Sequence, residues 1–222
     1  MKSLASFPAP LAPPARPPRA TLAEVFCETV ADGAATGFAL AHLGTGRGVL
    51  WVQDRLSRRE AGRPYAPGLM DGRAHDLLHL EVPRAADVLW AMEQALGCPA
   101  LGAVVGEVWG EPPALDFTAT KRLALRAERH GVQAWLLRRA ATPSLSAARE
   151  RWRVASLPSL SAADEAQAPG EALWRATLFR SRRAAPGDWL ARYDPAQGGL
   201  ALLPRSAPEA GLALGRQGPR AA

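Results

Sequence analysis

Up to about residue 140 the chain alternates short apolar runs with segments of helical periodicity. TLAEVF at Thr21–Phe26 predicts a first strand, and AATGFALAHL predicts a helix from about Ala34 to Leu43. GVLWVQ at Gly48–Gln53 is apolar throughout and bounded by glycine and charge, which predicts a buried strand. A loop carrying Pro64, Pro67 and Gly68 is expected next, then a third strand, LLHLEV at Leu77–Val82. From Ala86 to Leu96, Val88, Leu89, Met92 and Leu96 recur at helical spacing. LGAVVGEVW at Leu101–Trp109 is a fourth strand. DFTATKRLALRAERHG is a helix stopped by Gly131, a residue suited to a helix C-terminus. VQAWLLR at Val132–Arg138 is the fifth strand. Strands that are apolar throughout and alternate with helices predict a mostly parallel sheet with helices on both faces.

The pattern then changes. RWRVASL, LWRATLFRSR, DWLARYD and LALLP alternate polar with apolar residues, and YDPAQGGL carries turn chemistry between the last two. Alternation is the mark of strands with one face toward water. The parallel core is therefore expected to be extended at one edge by antiparallel strands over residues 149–203. Residues 1–19, with FPAPLAPPARPPR, read as a Pro-rich tail, and residues 207–222 as a second tail. One α/β domain over residues 20–206 is left between them.

Composition narrows the function classes. The net charge of +6 favours acidic partners, nucleic acid among them. Lys2 and Lys121 are the only lysines, however, and arginine-, alanine-, proline- and glycine-rich sequences also follow from G/C-rich codons. Cys27 and Cys98 form no CxxC pair and no Cys/His cluster at zinc spacing, so a reducing compartment is expected. No window is long and apolar enough to cross a bilayer, and Pro8, Pro10, Pro13 and Pro14 interrupt the start of the chain. These features predict a cytoplasmic protein without membrane contact.

In open α/β sheets, ligands sit beyond the carboxyl ends of the parallel strands. The first strand-to-helix loop is the natural phosphate site, because the amides at a helix N-terminus attract anions. Here the loop runs from Glu28 through Asp32 and Gly33 to Thr36 and Gly37. A P-loop needs glycines, a lysine for the outer phosphates and a Ser/Thr for magnesium. This one lacks lysine and arginine, and Glu28 and Asp32 repel phosphate; Thr36 alone matches the magnesium ligand. Near the end of the fourth strand, where an ATPase carries an Asp for the magnesium shell, Glu107 follows Gly106; it reads as a degenerate counterpart of that Asp or, the favoured reading, as a solvated strand-end Glu. His42, His75, His79 and His130 show no metal-ligand spacing, and neither a GxSxG elbow nor a Cys/His dyad is evident. The expectation is a degenerate P-loop, no cofactor, no metal and no catalytic residue.

Basic rows are the remaining signal. Lys121, Arg122, Arg126 and Arg129 dot one helix. Arg149, Arg151 and Arg153 alternate along one strand, with Arg175, Arg180, Arg182 and Arg183 in the next strand and its turn. Such a ladder is a candidate patch for single-stranded DNA or a protein partner. The same residues also suit a solvated sheet edge guarded by charge. Trp152, between Arg151 and Arg153, is expected to point away from them, into the core.

Several stretches together carry a family resemblance: VLWVQ at Val49–Gln53, LEVPRAADVLWAMEQAL at Leu80–Leu96, LGAVVGEV at Leu101–Val108, LDFTATKRLALRAERHGVQAWLLR at Leu115–Arg138, SAARERWRV at Ser146–Val154 and the closing LWRATLFRSRRAAPGDWLARYD. Over about residues 20–205 the chain resembles the ImuA proteins, RecA/SulA-like members of a bacterial damage-inducible mutagenesis cassette. The resemblance implies a RecA-like core and a role in error-prone translesion synthesis beside an ImuB-type Y-family polymerase homologue, a DnaE-type polymerase and RecA. In RecA proteins the first loop is an intact P-loop and the fourth strand ends in Asp; Glu28–Gly37 and Val105–Glu107 depart from both. A non-catalytic adaptor is the expected function, with a SulA-like inhibitor of cell division as the alternative.

Overall fold

The apolar runs become the strands of one nine-stranded sheet. The structure, a computed structural model, describes residues 20–30, 32–43, 47–65, 77–159, 168, 170–194 and 199–204. The expected tails, Pro67, Gly68, His75 and the turn between the last two strands lie outside these residues. The strands are β1 (Leu22–Cys27), β2 (Gly48–Asp54), β3 (Leu77–Val82), β4 (Leu101–Trp109), β5 (Gln133–Arg139), β6 (Glu150–Leu157), β7 (Leu173–Ser181), β8 (Gly187–Asp194) and β9 (Gly199–Pro204). Their order is β3-β2-β4-β5-β1-β6-β7-β8-β9. The pairings from β3 through β6 are parallel, and β7, β8 and β9 add in antiparallel fashion.

Helices cover both faces. On one, α1 (Ala34–Ala41) sets Ala35, Phe38 and Ala39 against Trp51, Val105, Trp135, Leu137 and Trp152, with Trp174 and Ala176 of β7 completing the cluster. On the other, α3 (Ala85–Ala95) and α4 (Phe117–His130) set Val88, Met92, Leu123 and Ala127 against Val52, Val104 and Leu136. Leu136 and Leu137 are neighbours in sequence yet belong to opposite clusters. This is why the parallel strands read as continuous apolar runs. Each such fully buried side chain contributes roughly 1.5–3 kcal/mol. Trp152 is buried against α1, as alternation requires.

Two glycines show how closely the layers approach. A Cβ on Gly106 of β4 would overlap Met92 of α3, and one on Gly37 of α1 would overlap Trp174 of β7. Gly131 ends α4 with φ +70°, the left-handed conformation expected of it. Among the described residues no helix is long and apolar enough to cross a membrane.

The structure corrects the sequence reading in two places. Residues expected to open a loop form α2 (Arg55–Ala61), capped by Asp54, whose carboxylate accepts from the Ser57 amide at 2.7 Å. Only Ser57 of this helix is buried, so it has no apolar stripe to betray it. Strand β3, in turn, is not covered: it is the sheet's outer strand, and Leu78 and Leu80 are 59% and 40% exposed.

Candidate functional site

Beyond the carboxyl ends of the parallel strands the sequence puts Glu107 near the end of β4, Arg139 at the end of β5, and the loop between β1 and α1. Glu107 is fully buried, not the solvated strand-end residue expected, because Trp51, Gln53 and Arg139 satisfy its carboxylate. Its Oε2 accepts from Gln53 Nε2 at 2.7 Å and from Trp51 Nε1 at 3.2 Å. Its Oε1 accepts from Arg139 Nε, and the two side chains form a buried ion pair. Ser57 Oγ of α2 donates to the Glu107 carbonyl at 3.2 Å. The network runs outward to His79. Since Gln53 Nε2 is donating, its Oε1 accepts from His79 Nε2 at 2.8 Å, which places the His79 proton on Nε2.

Arg139 reaches from β5 into the β1–α1 loop and fills it. Its NH1 group donates to the Asp32 carbonyl at 2.9 Å, to the Val30 carbonyl at 3.4 Å and to Cys27 Sγ at 3.6 Å. Its NH2 group donates to Thr36 Oγ1 at 3.0 Å. The loop thus turns carbonyl oxygens toward a guanidinium, the opposite polarity to a phosphate cradle, which presents amides to an anion. The amide at the start of α1 is engaged as well. Ala34 N–H, the first of the helix, donates to Asp32 Oδ1 at 2.8 Å. Burial pushes the Cys27 thiol up to about 11, so it stays protonated and unreactive at neutral pH.

The two acidic loop residues have structural partners. Asp32 bridges α1 to β6 by accepting from Ser156 N at 2.7 Å and from Ser156 Oγ at 2.5 Å. Partial burial disfavours its charge, but the Ser156 and Ala34 donors and nearby Arg139 outweigh this and hold its pKa below the usual carboxylate range. Glu28 pairs with Arg175 of β7. Gly33 precedes α1 with an ordinary φ of −76°, and Gly37 owes its identity to Trp174. A nucleoside triphosphate with magnesium needs inward amides, a free cation and a free hydroxyl. The Ala34 amide, Arg139 and Thr36 Oγ1 are in internal use and the loop carbonyls face the guanidinium, so the residues present do not fit that ligand.

On the other face of the sheet, the arginine rows do not assemble into one ladder. Arg149 precedes β6 and pairs with Glu128 of α4 at 2.6 Å. Arg151 is buried, bonded to fully buried Glu24 at 2.6 Å and packed on the Phe26 and Phe179 rings at 5.4 and 5.2 Å. Ser146 Oγ donates to the second Glu24 oxygen at 2.9 Å. Arg175 lies near the carboxyl end of β1 through its Glu28 pair. Arg182 instead bonds through its amide to the Arg149 carbonyl, at the amino end of β6. Arg153, Arg180, Arg182 and Arg183 remain exposed. On α4, Arg122 and Arg126 flank Glu93 of α3 at 3.3 and 3.4 Å.

Sequence reasoning missed Arg139 and the basic rim on α2. Arg139 lies just past the strand as read, and its partners are 32 to 112 residues away in sequence, beyond the reach of any local pattern. On α2, Arg55, Leu56, Arg58 and Arg59 line an open groove of about 640 Å³ with Glu81 and Pro83. The Asp54 cap and Gly62, just after the helix, were the available signals. Among the described residues no cluster of three or more His, Cys, Asp or Glu can hold a metal ion. The chain matches no protein-family model and no curated protein.

Proposed function

We propose that this chain is a RecA-like accessory protein of the DNA-damage response that works by binding macromolecules and not by ATP chemistry, as an adaptor in error-prone translesion synthesis. One observation carries the non-catalytic part: the Arg139–Glu107 pair occupies the place where a RecA-like ATPase binds its nucleotide, with loop carbonyls turned toward the cation. A parallel sheet with antiparallel strands added after β6 supports the RecA-like reading. The resemblance of residues 20–205 to ImuA proteins supplies the pathway and the expected partners: an ImuB-type polymerase homologue, a DnaE-type polymerase and RecA. Exposed Arg153, Arg180, Arg182 and Arg183 are the residues left to touch single-stranded DNA.

The test is a reciprocal pull-down from cells with and without DNA damage, using the full chain tagged at either end. Capture of the polymerase homologue or RecA supports the adaptor. Capture of a cell-division protein in their place supports the SulA-like reading and overturns this one.

A further inference from the structure

Strand β3 leaves one side of its backbone without a strand partner among the described residues, and its one acidic residue, Glu81, is paired with Arg58 and Arg63 of its own chain. Natural edge strands are blunted by proline, lysine, bulges or brevity. At the opposite edge, β9 ends in Pro204, and Leu200 and Leu202 pack into the α1-side cluster. Strand β3 runs six residues, LLHLEV, with neither proline nor lysine, in unbroken register with β2 from Leu77 to Val82. Leu78 and Leu80 stand opposite Leu50 and Val52 on the α3 side and are exposed, in contrast to the buried apolar residues of the central strands. His79 and Glu81 point to the other side, where His79 meets Gln53 and Glu81 meets Arg58 at 3.1 Å and Arg63 at 3.4 Å.

This pattern is self-complementary. Placing a second β3 antiparallel beside the first, with a two-fold axis at Leu80, sets Leu80 opposite Leu80 and Leu78 opposite Val82, an apolar ladder along the α3 side. On the other side the same register sets His79 opposite Glu81, twice. Apolar cross-strand pairs stabilise an antiparallel contact. A shift of one residue would set His79 against Leu80 and Leu78 against Glu81 and destroy both ladders. We propose that β3 is a self-association edge, where two copies join their sheets through antiparallel β3–β3 pairing centred on Leu80. This surface is independent of whether the β1–α1 loop binds nucleotide.

The symmetry supplies the test. In the full-length protein, a Cys placed at 80 faces its own counterpart at a separation that permits a disulfide, whereas a Cys at 78 faces Val82. Under mild oxidation Leu80→Cys should give a covalent dimer, and Leu78→Cys should give no more than the wild type gives through Cys27 and Cys98. In sedimentation, the wild type should move from monomer to dimer with concentration. Leu80→Lys sets two charges across the axis and should weaken that dimer at least tenfold while circular dichroism shows the fold intact. A wild type that stays monomeric throughout overturns the proposal. So does a dimer indifferent to Leu80→Lys, preferential crosslinking at 78, or protection from hydrogen exchange, in the monomer, of the β3 amides that face away from β2, which would mean that the chain covers its own edge.

Discussion

At the carboxyl end of β1, charge turns inward; at the outer edge of β3, both charge and apolar surface turn outward. In the first region Arg139 meets Glu107, Thr36 and two loop carbonyls, and Asp32 meets amides of α1 and β6. In the second, Leu78, Leu80 and the arginines of α2 border the sheet with much of their surface free. The difference teaches which charged groups the fold itself consumes and which it leaves at the surface. The position where α/β proteins usually hold a ligand is filled by internal pairs, while exposed charge and apolar side chains lie along the sheet edge.

The comparison breaks most visibly if the buried pairs are cut. Glu107→Ala leaves Arg139 uncompensated and two further donors, on Trp51 and Gln53, without their acceptor; a loss of about 3–5 kcal/mol is expected in urea unfolding. Glu24→Ala, which strands Arg151, should cost a similar amount. By contrast Arg59→Ala on the α2 rim should change stability by less than about 0.5 kcal/mol, because its ion pair with Glu60 is exposed.

A second expectation concerns acid. His42 Nδ1 donates to the Phe38 carbonyl at 2.8 Å, and its ring lies against Phe38 and Trp135 at 4.5 and 5.0 Å. Burial brings its pKa down to about 4. Between the unfolded value of about 6.5 and the folded one, only the unfolded chain takes up this proton, so stability falls as pH drops through that window, by about 3 kcal/mol in total. Unfolding free energies measured across that range in the wild type and in His42→Gln should differ in slope. Asp32 acts lower. Its folded pKa is depressed, so its contribution is present above the unfolded value and is lost as pH falls further. Asp32→Ala, which removes the bonds to Ala34 and Ser156 that tie α1 to β6, should cost at least about 1 kcal/mol at neutral pH.

The smallest effects belong to the surface. Single-stranded DNA should bind weakly and without sequence preference, with a log–log salt slope of about −0.7 per phosphate contact. Arg180→Glu together with Arg182→Glu should abolish that binding in fluorescence anisotropy without changing the unfolding midpoint; unchanged binding would make these arginines a solvated edge. At neutral pH Cys27 should resist iodoacetamide in the folded protein.

The sheet and its two faces were legible because burial on both sides writes itself as unbroken apolar runs, as in Leu101–Trp109. Half-exposed strands write themselves as alternation, as in Leu173–Ser181. Arg151 shows where that logic stops. Its position on a face was readable, but Glu24, its partner 127 residues away, was not, so a buried ion pair looked like one rung of a basic ladder. For the same reason the absence of a lysine in the β1–α1 loop could be read directly, while the arginine that fills the loop could not: it arrives from β5. Helix α2 was missed because caps, and not an apolar stripe, define it.

Titration calorimetry of the full chain with ATP and magnesium tests the central claim most directly. With Arg139, Thr36 and the Ala34 amide engaged internally, no saturable heat is predicted. Binding tighter than about 100 μM, a free energy of roughly −5.5 kcal/mol, would contradict the account, because a nucleotide could enter the loop only by displacing Arg139 from Asp32 and Thr36.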